Sequence, residues 1–600
     1  MIKAARATAL PLLLALTSGT LGQDWNVSTA GTRTSCTNGN GDWTAAQTYG
    51  TAAAVFNTCA SSLAAGDRIV FDDGVYSSSG IACSPNLNVT GEITFVSRKA
   101  DSTKVTLEAT SPTAAALSLG CTNGNNDFVF EDVTLTKSVA HTATALPFFY
   151  IFNEARHLTF RRSPIIGLVA SIAGNNSSLS GPILSRFNGT RTSRTITFDS
   201  VTMRDFSLTY ENGSPFILWA PSGTSVVLSG TNTIDRISYE STGSDGSDGS
   251  QGGFYIQSGA SLSVSGTVNA SNVTSEVQVG NQNYGLFRVV HTGTATLASG
   301  AEINCTDFNF YGGEPPAACF YTSGAFSMLD GWVTGERITV TEDPGGNNNG
   351  AVFIAAGSSA HGKAKVRCIE SESKTGAALY AGSGGGGRFL VDAQKCRSTT
   401  GVVYSGGDGD FTLGGVIWGS SGRAGEAIVS SLDVYSQINT TTSTRNKTTN
   451  LYGLTIGPDR STQDIPSVYV TNGDATYTHT LNLYNTGFGS GAPTALIVEE
   501  GASATMDVTG RKNGVPTGSS IDTTDVVNGS VSITGTVTGA PKWVGGASPN
   551  TTNGFRLLAT SPWVRAGDCY LPTGCAYPDL NNRRSNTPPD IGGHRRSAGD

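Results

Sequence analysis

The sequence predicts an all-β fold: a single-stranded right-handed parallel β-helix with coils of about 25 residues or more. Charged residues are only 14% of the chain, against roughly 25% in an ordinary domain, and Gly accounts for 76 of 600 residues, about double its usual share. Ser, Thr, Asn and Gly separate the apolar residues, which suits strands and tight turns. Short apolar runs also recur at a regular spacing.

The repeat is clearest in the second half of the chain, where a small residue precedes three or four apolar ones. These runs start 25 or 26 residues apart, at Gly324, Gly350, Gly376, Gly401 and Glu426. A period in the twenties built from strand-forming residues indicates a solenoid. Leucine-rich repeats would need Leu at fixed places, and helical repeats a 3.6-residue pattern. Apolar and small polar residues instead alternate over 225–234 and 260–273, which is typical of strands.

The N-terminus predicts secretion. Lys3 and Arg6 precede an apolar run over residues 9–16, and small residues follow up to Gly22, the pattern of a secretory signal peptide. The run is far shorter than the ~20 residues of a membrane span. We therefore expect a signal peptide over 1–22, a β-helix with an N-terminal cap over 23–544, and an irregular segment over 545–600 that packs on the last coils. The expected location is extracellular, without membrane insertion.

Sequons and cysteines agree with that location. Thirteen Asn-x-Ser/Thr sequons are glycosylation candidates: Asn26, Asn88, Asn175, Asn176, Asn188, Asn212, Asn269, Asn272, Asn304, Asn439, Asn446, Asn528 and Asn550. An even number of cysteines, ten, favours disulfides over a zinc site. We expect neighbours to pair: Cys36–Cys59, Cys83–Cys121, Cys305–Cys319, Cys368–Cys396 and Cys569–Cys575. The net charge of -8 argues against a nucleic-acid partner.

Three stretches resemble known β-helix families. "LAAGDRIVFDDGVYSSSGI" (Leu63–Ile81) resembles the first coils of pectin-lyase-like right-handed parallel β-helix proteins. Residues 252–273 are similar to the Gly-Gly-apolar repeats of chlamydial polymorphic outer-membrane proteins and related adhesins, without their Phe-x-x-Asn motif. Residues 557–595 resemble the Asp-Ile-Gly closing segment of secreted β-helix proteins, although Gly593-His594-Arg595 replaces Ala-Tyr-Glu. These resemblances imply fold more than function.

Enzymes of the pectin-lyase-like group imply two chemistries. Lyases use Arg or Lys as base, often with Ca²⁺ held by Asp and Glu, and hydrolases use clustered Asp residues. The motifs of polygalacturonases and pectate lyases are missing from this sequence, and Asp72-Asp73 lies in the first coils. No residue can be named as catalytic. We expect no cofactor or metal, with Ca²⁺ reserved for a lyase; residues 241–251 suit a flexible loop better than a calcium loop.

A row of cations forms the main candidate site. His361, Lys363, Lys365 and Arg367 occupy every second position of "HGKAKVRC". Because their neighbours are small or apolar, we expect the cations to face water and the neighbours to face the core. The acids of "ESESK" (370–374) and Asp392, about one coil later, would balance them. The row is then a solvated face, a binding strip for an anionic polysaccharide, or a lyase site.

Aromatic side chains are the other candidate. Tyr255, Tyr380 and Tyr404 lie in corresponding apolar runs. They could stack on sugars, but the apolar context favours a stack in the core. We therefore expect a secreted, glycosylated, non-catalytic protein that acts in adhesion or glycan binding, with polysaccharide or extracellular matrix as partner. The alternatives are a lyase or hydrolase acting on an acidic polysaccharide, and a purely structural wall or matrix component.

Overall fold

A computed structural model describes residues 22–542, with gaps, and residues 561–562. The stretches that it leaves out between 22 and 542 are 34–49, 51–54, 56–58, 60–61, 79–80, 83–90, 112–116, 120–125, 141–148, 152–154, 173–181, 188–192, 211–215, 242–251, 278–284, 312–318, 342–349, 374, 383, 399–400, 407–408, 419–435, 443–444, 458–467, 473–475 and 489–493. The predicted signal peptide up to residue 21 and most of the predicted C-terminal segment lie outside the described residues. Within that segment Ser561 is buried, and its Oγ accepts a hydrogen bond of 3.2 Å from the Lys542 backbone N–H.

The described strands form two sheets in which every pairing is parallel. The minor sheet has 15 strands: β4 (Ile81–Ala82), β7 (Leu117–Leu119), β10 (Phe149–Ile151), β14 (Pro182–Phe187), β17 (Phe216–Ala220), β20 (Gly252–Ile256), β23 (Phe287–Val289), β27 (Phe320–Thr322), β30 (Phe353–Ala356), β33 (Leu379–Gly382), β36 (Gly401–Ser405), β38 (Ser436–Thr442), β40 (Val468–Asn472), β43 (Thr494–Glu500) and β46 (Ser520–Asp522).

The major sheet has 33 strands: β1 (Asp24–Val27), β2 (Arg68–Phe71), β3 (Gly74–Ser78), β5 (Gly91–Ser97), β6 (Val105–Ala109), β8 (Asn126–Glu131), β9 (Thr134–Lys137), β11 (Ala155–Arg161), β12 (Ile165–Ile166), β13 (Val169–Ile172), β15 (Arg194–Asp199), β16 (Thr202–Tyr210), β18 (Thr224–Ser229), β19 (Thr231–Ser241), β21 (Ser261–Val264), β22 (Thr267–Val277), β24 (Thr294–Leu297), β25 (Glu302–Thr306), β26 (Asn309–Tyr311), β28 (Ala325–Glu336), β29 (Thr339–Thr341), β31 (Gly362–Ile369), β32 (Glu372–Ser373), β34 (Gly387–Gln394), β35 (Arg397–Ser398), β37 (Phe411–Trp418), β39 (Lys447–Ile456), β41 (Thr478–Tyr484), β42 (Gly487–Phe488), β44 (Thr505–Arg511), β45 (Gly514–Val515), β47 (Ser530–Thr534) and β48 (Val537–Thr538).

Each coil crosses the minor sheet once and then follows the major sheet, so the predicted parallel β-helix is confirmed. One coil runs through β20, β21 and β22 and returns to the minor sheet at β23. Residues in register on neighbouring coils are 36 apart at Ser225 and Ser261 and 23 apart at Asp507 and Ser530. The spacing is 25 at Arg367 and Asp392 but 38 at Thr412 and Asn450, so the coil length varies along the chain and only some coils have the predicted length.

Phenylalanine rings form two columns inside the coil. On the major sheet the centroids of Phe95, Phe130, Phe160 and Phe198 follow one another at 4.6, 5.6 and 5.3 Å. On the minor sheet Phe254, Phe287, Phe320 and Phe353 continue at 5.1, 5.9 and 5.5 Å. All eight rings are buried. Because strand spacing is ~4.8 Å, identical inward side chains on successive coils stack directly.

A third column lies at a turn within the major sheet. Its residues have positive φ although most are not glycine, and they follow one another coil by coil: Gly167, Asp205, Arg236, Asn272, Asp307, Arg337, Glu370 and Lys395. Acid and base alternate in pairs. Arg236 Nε lies 2.6 Å from Asp205 Oδ1, and Arg337 Nε lies 2.6 Å from Asp307 Oδ1. Lys395 Nζ lies 3.0 Å from Glu370 Oε1.

One sequence expectation is corrected by the strand assignments. The run at Gly324 leads into β28 of the major sheet, so it is out of phase with the runs at Gly350 and Gly376, which precede minor-sheet strands. Its true counterpart in the minor sheet is β27. At the N-terminal end Val55 and Cys59 are helical and fully buried in the core.

Candidate functional site

The predicted cation row lies on β31 and just before it. His361 and Lys363 are exposed, while Ala364, Val366 and Cys368 are fully buried. The expected alternation of core-facing and outward side chains is therefore confirmed on this strand. The outward cations differ in how much of each side chain is exposed, and a ligand can reach only the exposed ones.

Lys365 does not face water as expected, because only 4% of it is exposed. Its register neighbours are Trp332 and Leu390, which lie on either side, and its Nζ lies 5.8 Å from the centroid of the Trp332 ring. Apolar neighbours can cover a lysine stem in this way. The pattern of β31 could not show this, since Trp332 reaches its register position only after an irregularity in β28.

Arg367 is held by two groups. Its guanidinium carbon lies 4.3 Å from the Trp332 ring centroid, a cation–π contact. Its Nε donates to Asp392 Oδ2 over 3.1 Å, and the Asp392 side chain is only 3% exposed. The expected balance between Arg367 and Asp392 is confirmed. Glu370 was expected to balance the row as well, but it pairs with Lys395 instead.

Lys363 gains a cationic neighbour that the row did not include. Arg388 lies directly opposite Lys363 on β34, and both side chains are exposed. The sequence carries a signal for this pair, because Arg388 follows Lys363 by one coil length. The structure thus brings together His361, Lys363 and Arg388 on one surface. Lys365 contacts Trp332, and Arg367 contacts Trp332 and Asp392.

The tyrosines lie on the outer face of the minor sheet, which corrects their assignment to the core. Tyr380 is partly exposed between Leu379 and Ala381, which are both fully buried. Tyr255 and Tyr404 alternate with buried neighbours in the same way. Adjacent side chains of a strand point to opposite faces. The buried neighbours occupy the core face, so the tyrosines lie on the outer face. The expected stacking does occur, since the Tyr380 and Tyr404 centroids are 5.4 Å apart.

These tyrosines belong to a longer column that the sequence did not reveal. We define the aromatic column as the residues in register on nine successive minor-sheet strands: Trp219, Tyr255, Arg288, Tyr321, Ile354, Tyr380, Tyr404, Asn439 and Tyr469. Ile354 is fully buried and Tyr469 is 7% exposed, and the side chain of Asn439 is outside the described ones. The partly exposed rings of the column are therefore those of Trp219, Tyr255, Tyr321, Tyr380 and Tyr404. Six of the nine are aromatic. At ~4.8 Å per coil the column is about 40 Å long.

Arg288 lies between two aromatic residues of the column and contacts the ring of one of them. Its guanidinium carbon lies 4.8 Å from the centroid of the Tyr255 ring. Such a contact orients the guanidinium over the ring face. The column therefore combines ring faces with one positive charge close to its start.

Two glycines shape the surface beneath the rings. A Cβ on Gly382 would lie 2.4 Å from Cε1 of Tyr380, and one on Gly406 would lie 2.3 Å from Cε1 of Tyr404. Both rings therefore lean along the strand over the glycine two residues later. Next to Ile354, which has no ring, the corresponding position is Ala356. The pattern Tyr-x-Gly is the sequence signal that could have placed these rings outside.

Burial favours the protonated hydroxyl of Tyr321, Tyr380 and Tyr404. Burial, followed by the effect of Tyr404, raises the pKa of Tyr380 to about 12. Burial also raises the pKa of Tyr321 and of Tyr404. Neutral hydroxyls can both donate and accept hydrogen bonds. The column thus offers apolar faces with polar rims, which is what a sugar ring needs.

Two predicted disulfides are confirmed. Cys305 and Cys319 are bonded with their Cα atoms 6.0 Å apart, and Cys368 and Cys396 with theirs 6.4 Å apart. The first joins the major sheet to the minor sheet within one coil, and the second joins consecutive coils. Cys59 is also disulfide-bonded, to a residue outside the described ones. The remaining candidates also lie outside them: Cys36, Cys83, Cys121, Cys569 and Cys575.

The sequons differ in accessibility. Asn26 is only 4% exposed within β1, which makes it the least accessible of the described sequons. Asn304 is partly exposed, and four acceptors are exposed: Asn269, Asn272, Asn446 and Asn528. Outside the described side chains lie Asn88, Asn175, Asn176, Asn188, Asn212, Asn439 and Asn550.

The described residues show neither a metal-binding group of side chains nor a membrane-spanning helix. In this part of the chain no group of three or more His, Cys, Asp or Glu side chains is arranged to hold a metal ion. No helix within it is both long and apolar enough to cross a membrane. The acidic pair Asp72 and Asp73 lies beside Arg98 and Lys99, at 3.5 and 2.6 Å respectively. These four residues form a charge-balanced surface at the first coils.

Comparison with known proteins found no matching family model, curated protein or solved structure. The resemblance to the pectin-lyase-like group and to the adhesins therefore stays a prediction from short motifs.

Proposed function

We propose that this chain is a secreted, glycosylated, non-catalytic extracellular protein that binds a glycan along the aromatic column, and that it acts in adhesion to glycan-bearing surfaces or matrix. The observation that carries the proposal is the run of six aromatic residues among nine positions in register, five of them partly exposed. A pyranose ring has an apolar C–H face and a rim of hydroxyls. Tyrosine and tryptophan match both, with an apolar face and a polar tip.

The regular spacing supports a polymer as ligand. A polysaccharide is a linear repeat, and the column repeats once per coil in a straight register. Several weak contacts on one chain raise the overall affinity through effective concentration. The partly exposed rings of Tyr380 and Tyr404, leaning over Gly382 and Gly406, form the centre of this surface.

The extracellular part of the proposal rests on other features. Cross-links between Cys305 and Cys319 and between Cys368 and Cys396 favour an oxidising compartment. Exposed sequons such as Asn269 and Asn446 leave room for glycans on the major sheet, away from the aromatic column.

The test is a binding assay with purified, secreted protein. Neutral and acidic polysaccharides are immobilised, and retention is compared between the wild type and Tyr380→Ala/Tyr404→Ala. The matched control is Tyr311→Ala/Tyr477→Ala, which removes two exposed tyrosines away from the column. We expect the first variant to lose about tenfold or more in affinity for one polymer class and the control to bind as the wild type.

The same samples separate the alternatives. Release of reducing ends or of unsaturated uronate, with or without Ca²⁺, would replace the proposal with a hydrolase or a lyase. Equal retention of the wild type and of Tyr380→Ala/Tyr404→Ala would remove the aromatic column as the binding surface. No retention on any polymer would favour the purely structural alternative.

A further inference from the structure

The start of the first coil is fixed to the turn that precedes β2. The Gln23 backbone N–H donates to Asp67 Oδ1 over 2.8 Å, and the Gln23 carbonyl accepts a hydrogen bond of 2.9 Å from the Arg68 N–H. β1 begins with the next residue, Asp24, which lies in register with Arg68. Gln23 is therefore the residue at which the chain enters the major sheet.

Asp67 places a buried carboxylate at this point. Only 2% of the residue is exposed. The indole Nε1 of Trp25 and the Ala64 N–H each donate to its Oδ2 over 2.9 Å. These two donors and the Gln23 N–H are uncharged. Because a buried charge is costly without an opposite charge, a positive charge on one of the donors would stabilise the carboxylate.

Gln23 is held by its backbone rather than by its side chain. Its Nε2 is buried and makes no hydrogen bond, whereas its backbone nitrogen and its carbonyl both bond to the turn before β2. A change of charge on the backbone nitrogen of Gln23 would therefore act directly on Asp67.

The residue before Gln23 meets two separate requirements. A Cβ on Gly22 would lie 1.7 Å from the backbone oxygen of Gly66, so only glycine fits here while the signal peptide is attached. Cleavage of a signal peptide also requires a small residue before the cut bond. The predicted cleavage site therefore coincides with the place where the coil begins.

We infer that the Gly22–Gln23 bond is a maturation site whose cleavage provides Asp67 with its counter-ion: the new α-ammonium group of Gln23 binds the Asp67 carboxylate as an ion pair that completes the first coil. Hydrolysis adds one water molecule across the bond. A carboxylate remains on Gly22, and the Gln23 nitrogen receives the protons that make it an ammonium group. The inference rests on the secretion that the proposed function includes, but it does not involve the aromatic column.

Other charges near this site lie at the surface. Asp24 and Arg68 are 3.7 Å apart, and both side chains are about half exposed. Glu92, at the start of β5, is also exposed. Charge-assisted hydrogen bonds are roughly twice as strong as neutral ones, and solvent screens buried pairs less than exposed pairs. Asp67 is thus the acid that the charge on Gln23 affects most.

The experiment compares two forms of the purified chain, one that starts at Gln23 and one that retains Leu21 and Gly22. In the longer form the Gln23 N–H remains an uncharged amide. Each form is also made with Asp67→Asn, which gives a double-mutant cycle. The matched control is Asp24→Asn, which removes an exposed carboxylate beside the same residue. Urea unfolding is measured from pH 7 to pH 10, and mass spectrometry after labelling of terminal amines identifies the first residue of the secreted protein.

At pH 7 the form that starts at Gln23 should have an unfolding equilibrium constant about tenfold smaller than the longer form. Asp67→Asn should abolish this difference, and Asp24→Asn should change it by less than about twofold. The ion pair raises the pKa of the α-ammonium group above its ordinary value of about 8. Its contribution to stability is therefore present below about pH 8 and is lost as pH rises through the higher pKa of the folded form.

The other outcomes overturn the inference in separate ways. Equal stability of the two forms at pH 7, or a difference that persists in Asp67→Asn, would show that the ion pair does not form. A secreted protein whose Gln23 has released ammonia and closed to a lactam would carry no ammonium group. If Asp67→Asn does not fold, the two starting points compared in the wild type and in Asp24→Asn still decide.

Mass spectrometry keeps this inference apart from the proposed function. A secreted protein that begins at a residue other than Gln23 would overturn the maturation site and leave secretion intact. A chain that is not exported would contradict the proposed secretion itself. Glycan retention on the aromatic column is measured on the same samples and should not differ between the two forms.

Discussion

Arg367 Nε and Asp392 Oδ2 lie 3.1 Å apart across two consecutive coils, beneath the ring of Trp332. The Asp392 side chain is 3% exposed and that of Arg367 is 34% exposed. The ion pair is therefore partly desolvated, and removing one partner leaves the other charge partly buried and unpaired.

Asp392→Asn should lower the stability of the middle coils by roughly 2 kcal/mol. The measurement is the thermal midpoint, compared with that of Asp307→Asn. In the control pair both side chains are 46% exposed, and exposed pairs contribute at most about 1 kcal/mol. Equal shifts for the two variants would contradict the role assigned to burial.

Acid should weaken the coils around β41 through His479. Burial, reinforced by the charge of Lys447, lowers the pKa of this fully buried histidine to about 3. Between about pH 6.5 and 3 the unfolded chain binds a proton that the folded chain does not. The free energy of unfolding therefore falls as pH drops through this window, by up to ~1.4 kcal/mol per unit.

His479→Asn should reduce that slope, and His361→Gln, which replaces an exposed histidine, should not. Urea midpoints measured between pH 7 and pH 4 would show the difference. Equal losses of stability in the wild type and in His479→Asn between pH 7 and pH 4 would contradict this role of His479.

Phe320 and Tyr321 are adjacent residues for which we expect opposite phenotypes. Phe320 is fully buried in the phenylalanine column, so Phe320→Ala should cost about 3–5 kcal/mol. Tyr321→Ala removes an outward ring and should mainly reduce glycan retention. Thermal unfolding and retention, measured on both variants, would refute the assignment of faces if the losses were reversed.

Gly382→Ala should disturb the aromatic column without unfolding the protein. The new Cβ would lie 2.4 Å from Cε1 of Tyr380, so the ring has to swing off its position. A flexible side chain can move at small cost, and Ala356 shows that the coil accepts alanine there. We expect weaker glycan retention at a nearly unchanged thermal midpoint; a large drop in the midpoint with normal retention would contradict this.

Glycosylation should avoid Asn26. Peptide mapping of secreted protein by mass spectrometry should find glycans on exposed sequons such as Asn269 and Asn446 and an unmodified Asn26, because its side chain is buried in β1. Full occupancy at Asn26 would show that the first coil forms differently.

The fold class could be predicted because each coil of a solenoid repeats the same sequence pattern. Alternation around Leu262 and Val264, and the 25-residue steps, each report the coil independently. Neighbouring cysteines could be paired for the same reason, since one coil brings residues such as Cys368 and Cys396 together. The face of Tyr380 could not be predicted from its apolar run. In a strand as short as β33 a shift of one residue exchanges inside and outside.

Contacts between coils could also not be predicted from the sequence where the coil length varies. Trp332 covers Lys365 only because β28 changes register before it, and no periodicity reports an irregularity. Arg388 was different. It follows Lys363 by a regular coil, so extending the period to charged residues would have found the cation pair.

The alternating charges at the turn within the major sheet have a consequence for how this solenoid can be lengthened or shortened. Asp307, Arg337, Glu370 and Lys395 stand on four successive coils, so the smallest module that reproduces its own surroundings is two coils, not one. Excising the single coil that carries Glu370 would set Arg337 against Lys395. Inserting a whole pair of such coils would preserve the order of signs. The charge pattern at this turn therefore repeats every two coils, although the backbone repeats every coil.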